Sequence, residues 1–332
     1  MSWIRKFALG AASMALAAAA HAVVIDADGA GSSSGRDIQT LQWAPGNTLI
    51  TPVGNASIFS HPLGDVFQFY AQASLGSFDG SATGAGRWTY VAGYQEQVIS
   101  TAGANVVFNT LPGGDNFFRI YFDPTPNANA GNGTGYGPDA TNSDAVLILS
   151  GSYTGGQAAV SGLNIAPGGL DAFGPDNYPG VGSITAAGNS DLAIAIASFD
   201  PAYFPAGLPP GFALDLRSVF SAPFSRVDPS SCFKNGAGAL ISGAGPNTLA
   251  GPECSINTVG SLNGVDGTNL ILMSDSSGSF RLAEPVPEPM SLALLGIGLA
   301  AMGAGRLRLE TGRARRHRGH SGRNPYSTGN RA

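Results

Sequence analysis

Few residues in this sequence could do chemistry. Of its four histidines, His21 lies in the leader-like start, and His317 and His320 lie in an arginine-rich end. That leaves His61, in SHPLGD, as the single histidine of the body. A zinc site built from several histidines is therefore excluded. A Ser-His-Asp hydrolase would have to use His61, yet no G-x-S-x-G stands in the body. A turn or surface histidine is the more ordinary reading. The body's glutamates are Glu96, Glu253, Glu284 and Glu288. Nothing in their spacing sets two carboxylates opposite one another, as a glycosidase requires.

Asp26 and Asp28, in IDADGAG, resemble the opening of a calcium loop, but the twelve-residue spacing and its closing glutamate are absent. They stand between a loose surface calcium site and acidic turn residues, as do Asp139 and Asp144 further on. No cofactor and no dedicated metal site is expected. The two cysteines, Cys232 and Cys254, fit one disulfide if the body is exported to an oxidising compartment. Closing a loop of about 22 residues, it would contribute roughly 3 kcal/mol by loop entropy.

The remaining candidate is a row of rings, Trp88, Tyr90 and Tyr94. On one face of a strand such a row packs a core. Left open, it would form a platform on which sugar rings stack, suited to an exopolysaccharide partner. The residue pattern leaves both alternatives standing.

The elements that must position these residues read as strands. With 48 glycines and 22 prolines in 332 residues, long helices are excluded from the body. Residues 66–73 place Phe67, Phe69, Ala71 and Ala73 on one face and Gln68, Tyr70 and Gln72 on the other. Residues 88–98 place Trp88, Tyr90, Tyr94 and Val98 together, with a bulge expected at Gly93. Residues 105–108 and 117–122 follow, the latter aligning Phe118, Ile120 and Phe122. Residues 145–149 are apolar on both sides, as in a central strand, and 127–143 read as a loop. Weak strands are expected across 151–190 and a strand at 191–199. A closing pair is expected at 269–273 and 280–282. The fold class is mainly β, an antiparallel β-sandwich or barrel-like domain over residues 23–283, with a weak boundary near 200.

Charge divides the chain more sharply than composition does. The formal net charge of −5 resolves into +2 over residues 1–22, −14 over 23–305 and +7 over 306–332. At the start, Arg5 and Lys6 precede an apolar stretch from Phe7 to Ala20 and the small-x-small site Ala20-His21-Ala22. That order is a secretory signal peptide over residues 1–22, implying Sec-type export. Near the end, Met290 to Gly305 is apolar or small throughout and is followed by Arg306 and Arg308. At 1.5 Å per residue this forms a short transmembrane helix, with the arginines on the cytoplasmic side. Residues 310–332 form an arginine-rich disordered tail. It resembles a nucleic-acid arm only in charge, and the acidic body repels polyanions, so no nucleic-acid partner is expected.

Val286-Pro287-Glu288-Pro289, the apolar segment and the arginines together resemble the C-terminal sorting signal of PEP-CTERM proteins, here residues 284–309. The resemblance implies an exported protein of a Gram-negative bacterium recognised by an exosortase, a membrane-embedded transpeptidase-like enzyme. Pro287, Glu288 and Pro289 would be the recognition element and Arg306 and Arg308 the basic stop. The flanking prolines hold the chain extended, presenting the Glu288 carboxylate at low entropic cost. A further 24 residues follow Arg308, more than such signals normally carry.

Trp88-Thr89-Tyr90-Val91 with Tyr94 and Glu96, and then residues 116–123, resemble flocculation-associated PEP-CTERM proteins. The likeness runs over about residues 36–155. Where that family has a compact Gly-Phe-x-Asp-Gly element, this chain reads GYGPDA at 135–140. The likeness implies a non-enzymatic protein, anchored in the membrane before processing and then displayed at the cell surface or in the matrix. It would serve aggregation, floc or biofilm formation. The alternative is a carbohydrate-binding adhesion module, with or without assistance from calcium.

Overall fold

The structure, a computed structural model, describes residues 21–31, 35–57, 60–84, 86–130, 133–139, 142–166, 183–222, 233–239, 241 and 269–282. All belong to one compact unit, Met1–Ala283. Among them there is no α-helix, and none is long and apolar enough to cross a membrane. Residues 1–20 of the expected leader and the whole C-terminal span lie outside the described residues.

Twelve strands form in chain order. They are β1 (Val23–Ile25), β2 (Arg36–Ile38), β3 (Thr40–Trp43), β4 (Gly46–Pro52), β5 (Val66–Phe78) and β6 (Arg87–Ala102). Then come β7 (Asn105–Leu111), β8 (Phe117–Asp123), β9 (Val146–Ala166), β10 (Ser183–Phe199), β11 (Phe212–Ala222) and β12 (Leu270–Leu282). β1 and β2 pair as a small ribbon. The other ten belong to one antiparallel sheet.

Its ladders return on themselves. β5 pairs with β6, β9 with β10, β10 with β11 and β11 with β12. Between β6 and β9 stand β7 and β8 end to end, each bonded to both neighbours. Between β12 and β5 stand β3 and β4 in the same way. Each of these paired positions is one strand broken in the middle, at Pro45 and at Pro112. Proline has no N–H to give the ladder, so a strand bonded on both sides must step out there. The N-terminal strands thus meet the C-terminal strand, and the sheet's long edges are paired rather than left open.

Period-two alternation then decides what faces inward. Along β6, Trp88, Tyr90, Ala92, Tyr94 and Val98 are all buried in the main core, with Phe67, Phe69, Ala71, Ala73 and Leu75 from β5 beside them. One end of the interior is packed with rings. Trp88 meets Phe78 edge-on at 5.1 Å and Phe204 at 5.9 Å, and its indole N–H donates to the Ala27 carbonyl at 2.8 Å. Burying a large side chain of this kind contributes about 2–3 kcal/mol. The corner between β5 and β6 is fastened by the Asp79 carboxylate, which accepts from the Thr40 amide at 2.7 Å and the Gln39 amide at 3.0 Å.

Several expectations need correction. Gly93 is in register with both Tyr70 and Phe117, and the irregularity in β6 lies between Val98 and Ser100. The outer face of β5 is not half-buried water-side surface, because Gln68 and Gln72 are buried. The segments 269–273 and 280–282 are two ends of one strand, β12. The start of β9 is not a doubly covered strand, since Val146 and Leu147 are exposed. Strand β9 also runs much further than its apolar start suggests, and its glycine- and serine-rich length is carried by ladders to β7 and β10.

Two irregular segments cover the outside of the sheet. Residues 124–145 place Tyr136 against Val91, Phe117 and Tyr121. Residues 233–241 place Phe233 against Leu49 and Ile271.

Candidate functional site

At the end of the interior away from the ring-packed plug lies a cavity of about 80 Å³, measured to the centres of water-sized spheres. Its walls are mostly apolar, with Phe67, Phe69, Phe108, Val160, Leu216 and Leu272 among them. The strand rule that turns Trp88, Tyr90 and Tyr94 inward also turns Glu96 inward, two residues further along β6. It stands opposite Phe67 on β5 and Thr110 on β7. Glu96 is 1% exposed, and neither carboxyl oxygen has a hydrogen-bond partner among the described residues. Burial pushes its pKa up from 4.5 to about 8, so the carboxyl is mostly neutral at pH 7.

Tyr153 reaches the same space from β9. Its backbone is clamped by Asn116, whose Oδ1 accepts from the Tyr153 amide at 2.8 Å while its Nδ2 donates to the Tyr153 carbonyl at 2.9 Å. The ring lies 4.6 Å from Tyr94, and Tyr94 stacks at 5.1 Å on Phe69. The Tyr153 hydroxyl is buried and has no partner among the described residues. Burial raises both phenols well above their ordinary value, with Glu96 adding to each.

Several other hydroxyls on the inner face are mutually satisfied. Thr48 pairs with Ser274 at 3.0 Å and Ser218 with Ser276 at 2.8 Å. The oxygens of Glu96 and Tyr153 differ from these in having no such partner, as does the hydroxyl of Thr110 opposite Glu96. Sequence reasoning names Glu96 as one of the body's few glutamates and as part of the family-like pattern at 88–96, without assigning it a site. The available signal was a carboxylate in phase with the buried rings of WTYVAGYQEQV.

The aromatic row is closed to the outside. Trp88 and Tyr90 are each 1% exposed and Tyr94 is 7% exposed. An open platform for a sugar ring is not what these residues form, because strand alternation drives all three into the core. Tyr90 and Tyr94 line the cavity, as does His61, whereas Trp88 belongs to the packed end. Asp26 accepts from the Gly31 amide at 3.0 Å and Asp28 from the Ala30 amide at 3.1 Å, the behaviour of turn residues. Asp139 accepts from the Gly135 amide and from Lys234, and Asp144 from the Thr125 hydroxyl. No group of three His, Cys, Asp or Glu side chains gathers among the described residues. Cys232, Cys254, Val286, Pro287, Glu288, Pro289, Arg306 and Arg308 lie outside the described residues.

No family model, curated protein or solved structure matches this chain.

Proposed function

We propose that this is a non-enzymatic exported protein, sorted through residues 284–309 and displayed at the cell surface or in the matrix, where it serves aggregation, floc or biofilm formation. Its domain is a barrel-like β structure, a reading supported by ladders that run from β5 around the sheet and back to β5. The observation that carries the proposal is the order of signals in the sequence. An acidic, lysine-poor body stands between a basic-then-apolar leader and a Pro-Glu-Pro, apolar, arginine ending.

The outer surface supports a domain standing in water rather than one embedded by its strands. Arg217 and Asp191 pair at 3.3 Å on the outside of β10 and β11, both largely exposed, and Arg281 pairs with Asp215 at 2.6 Å. Strands crossing hydrocarbon would carry apolar residues there. The partners are Sec-type export machinery and an exosortase-type enzyme, and after processing the surrounding exopolysaccharide. The adhesion reading that relied on Trp88, Tyr90 and Tyr94 stacking on sugar is not carried forward, since those rings face the interior.

Mass analysis of exported material tests the sorting step. A chain ending near Pro287-Glu288-Pro289 is the expected result, and an intact tail overturns processing there. Deleting the gene and scoring aggregation tests the role, which unchanged aggregation would defeat.

A further inference from the structure

A buried acid without a partner is costly, and proteins seldom keep one for stability alone. Here it is not accompanied by a general polar interior. The hydroxyls of Thr48, Ser274, Ser218 and Ser276 satisfy one another. Among the described residues only a few buried oxygens on the inner face are left over, and three of them, both carboxyl oxygens of Glu96 and the Tyr153 hydroxyl, belong to side chains lining one cavity. The residues beside them are rings and aliphatic side chains. The cavity thus offers an apolar channel with a small cluster of hydrogen-bonding oxygens on its wall, the ordinary composition of a small-molecule site.

We propose that this cavity binds a slender apolar molecule ending in a hydrogen-bond-donating head, an aliphatic alcohol or amine, with the head held between Glu96 and Tyr153. The small volume and the Phe67, Phe69 and Phe108 walls exclude bulky ring systems. The lone pairs of these oxygens are unused while the neutral Glu96 carboxyl and the Tyr153 hydroxyl also carry a proton to donate, and an alcohol or amine head can both donate and accept there. A carboxylate head would bring a negative charge into the same dry space, which desolvation opposes, with repulsion added whenever Glu96 is ionised. The Asn116 clamp holds the Tyr153 backbone, and stacking between Phe69 and Tyr94 braces the opposite side, so the site is set before ligand arrives. This inference does not depend on how the chain is exported or sorted.

Calorimetric titration of the full chain with 1-octanol, octylamine and octanoate tests it. Saturable one-to-one binding of the alcohol and the amine is expected, with octanoate at least about tenfold weaker, the scale of one charged or buried hydrogen-bond mismatch. Glu96→Leu should weaken octanol about tenfold and bring octanoate level with it. Tyr153→Phe removes a single oxygen and should weaken octanol several-fold while leaving the melting temperature in place. It keeps the test decisive if the Glu96 variant folds poorly. Ala158→Phe, which fills the cavity from β9, should abolish binding of all three. The proposal is overturned if none of the three binds saturably to the wild-type chain, as when the space holds water alone. It is equally overturned if octanoate binds tightest, or if Glu96→Leu and Tyr153→Phe both bind octanol as the wild type does.

Discussion

Tyr94 and Tyr153 hold their rings 4.6 Å apart inside the closed sheet, one carried by β6 and the other by β9. Strands β6 and β9 are separated by the single position that β7 and β8 share, and the two rings meet where that position is broken, between Leu111 and Phe117. Glu96 lies on the same inward row as Tyr94, and its charge, when present, raises both phenols. The three residues therefore form one electrostatic unit in an apolar setting. Ionising Glu96 is unfavourable there, and that has a direct consequence for stability.

The folded chain holds the Glu96 proton more tightly than the unfolded chain does, because its pKa rises from 4.5 to about 8. Below pH 4.5 both states are protonated and the group makes no difference. Between 4.5 and about 8 the unfolded state releases its proton first, so stability falls as pH rises through that window. The total loss is on the order of 5 kcal/mol. Tyr90, Tyr94 and Tyr153, the phenols around it, have raised values and stay neutral over this range. His61 also lines the cavity, so His61→Gln serves as a control variant. Urea midpoints from pH 5 to 9 should fall for the wild type and flatten for Glu96→Gln. An unchanged slope in that variant would remove Glu96 as the source.

Much of the fold was legible because strand alternation is local. The rings of 66–73 and 88–98 announced their buried faces, and the aligned Phe118, Ile120 and Phe122 did the same. The partnering was not legible. Nothing near residue 40 indicates that β3 and β4 close against β12, more than 200 residues away in sequence. The glycine- and serine-rich runs in β9 and β10 lack the apolar alternation that marks a strand, and are held by neighbours instead. Trp88, Tyr90 and Tyr94 were identified as one face, but whether that face met water depended on the closure of the sheet. Glu96 was hidden for the same reason, since a charged residue on a strand reads as solvent-facing until the opposite strands are known.

Gly93 shows how tightly the outer cover is fitted. A Cβ at this position would lie 2.5 Å from the Phe117 ring and 2.7 Å from the Asp115 carbonyl oxygen. Real contacts of that kind do not occur, so the Phe117 ring or the 115–117 backbone would have to move. Gly93→Ala is predicted to destabilise the domain by about 2 kcal/mol, the scale of overpacking in a fitted core. Chemical denaturation measures it, and a change under half a kilocalorie would show that β8 yields more readily than this packing indicates.

Asn116 should matter more to Tyr153 than its position in a loop suggests. Asn116→Ala removes both bonds to the Tyr153 backbone and leaves a buried amide and carbonyl less well satisfied. The predicted cost is about 1–3 kcal/mol. Asn116→Asp keeps the acceptor and loses the donor, so it should fall between the two at neutral pH. If alanine and aspartate variants melt together with the wild type, the clamp contributes nothing.

Lys234 fastens the second covering segment to the first. Its ammonium donates to the Pro138 carbonyl at 2.7 Å and to Asp139 Oδ2 at 3.3 Å, in a site where the lysine side chain is only 10% exposed. Burial lowers its pKa and the Asp139 charge partly restores it, so the cation is tolerated only because of that partner. Two residues on, the Gly236 amide donates to both carboxylate oxygens of Asp115, and Arg119 donates to the Gly236 carbonyl. The strand circuit does not include residues 233–241, so losing Lys234 should loosen the cover before it affects the core of the sheet. Lys234→Met is predicted to cost about 2 kcal/mol locally. Hydrogen exchange at Gly236 and its neighbours should accelerate well beyond that of the β5 and β6 amides. Asp139→Asn in the same background should add little further, since the two side chains act as a pair. Equal acceleration across cover and core would show instead that the segment and the sheet unfold as one unit.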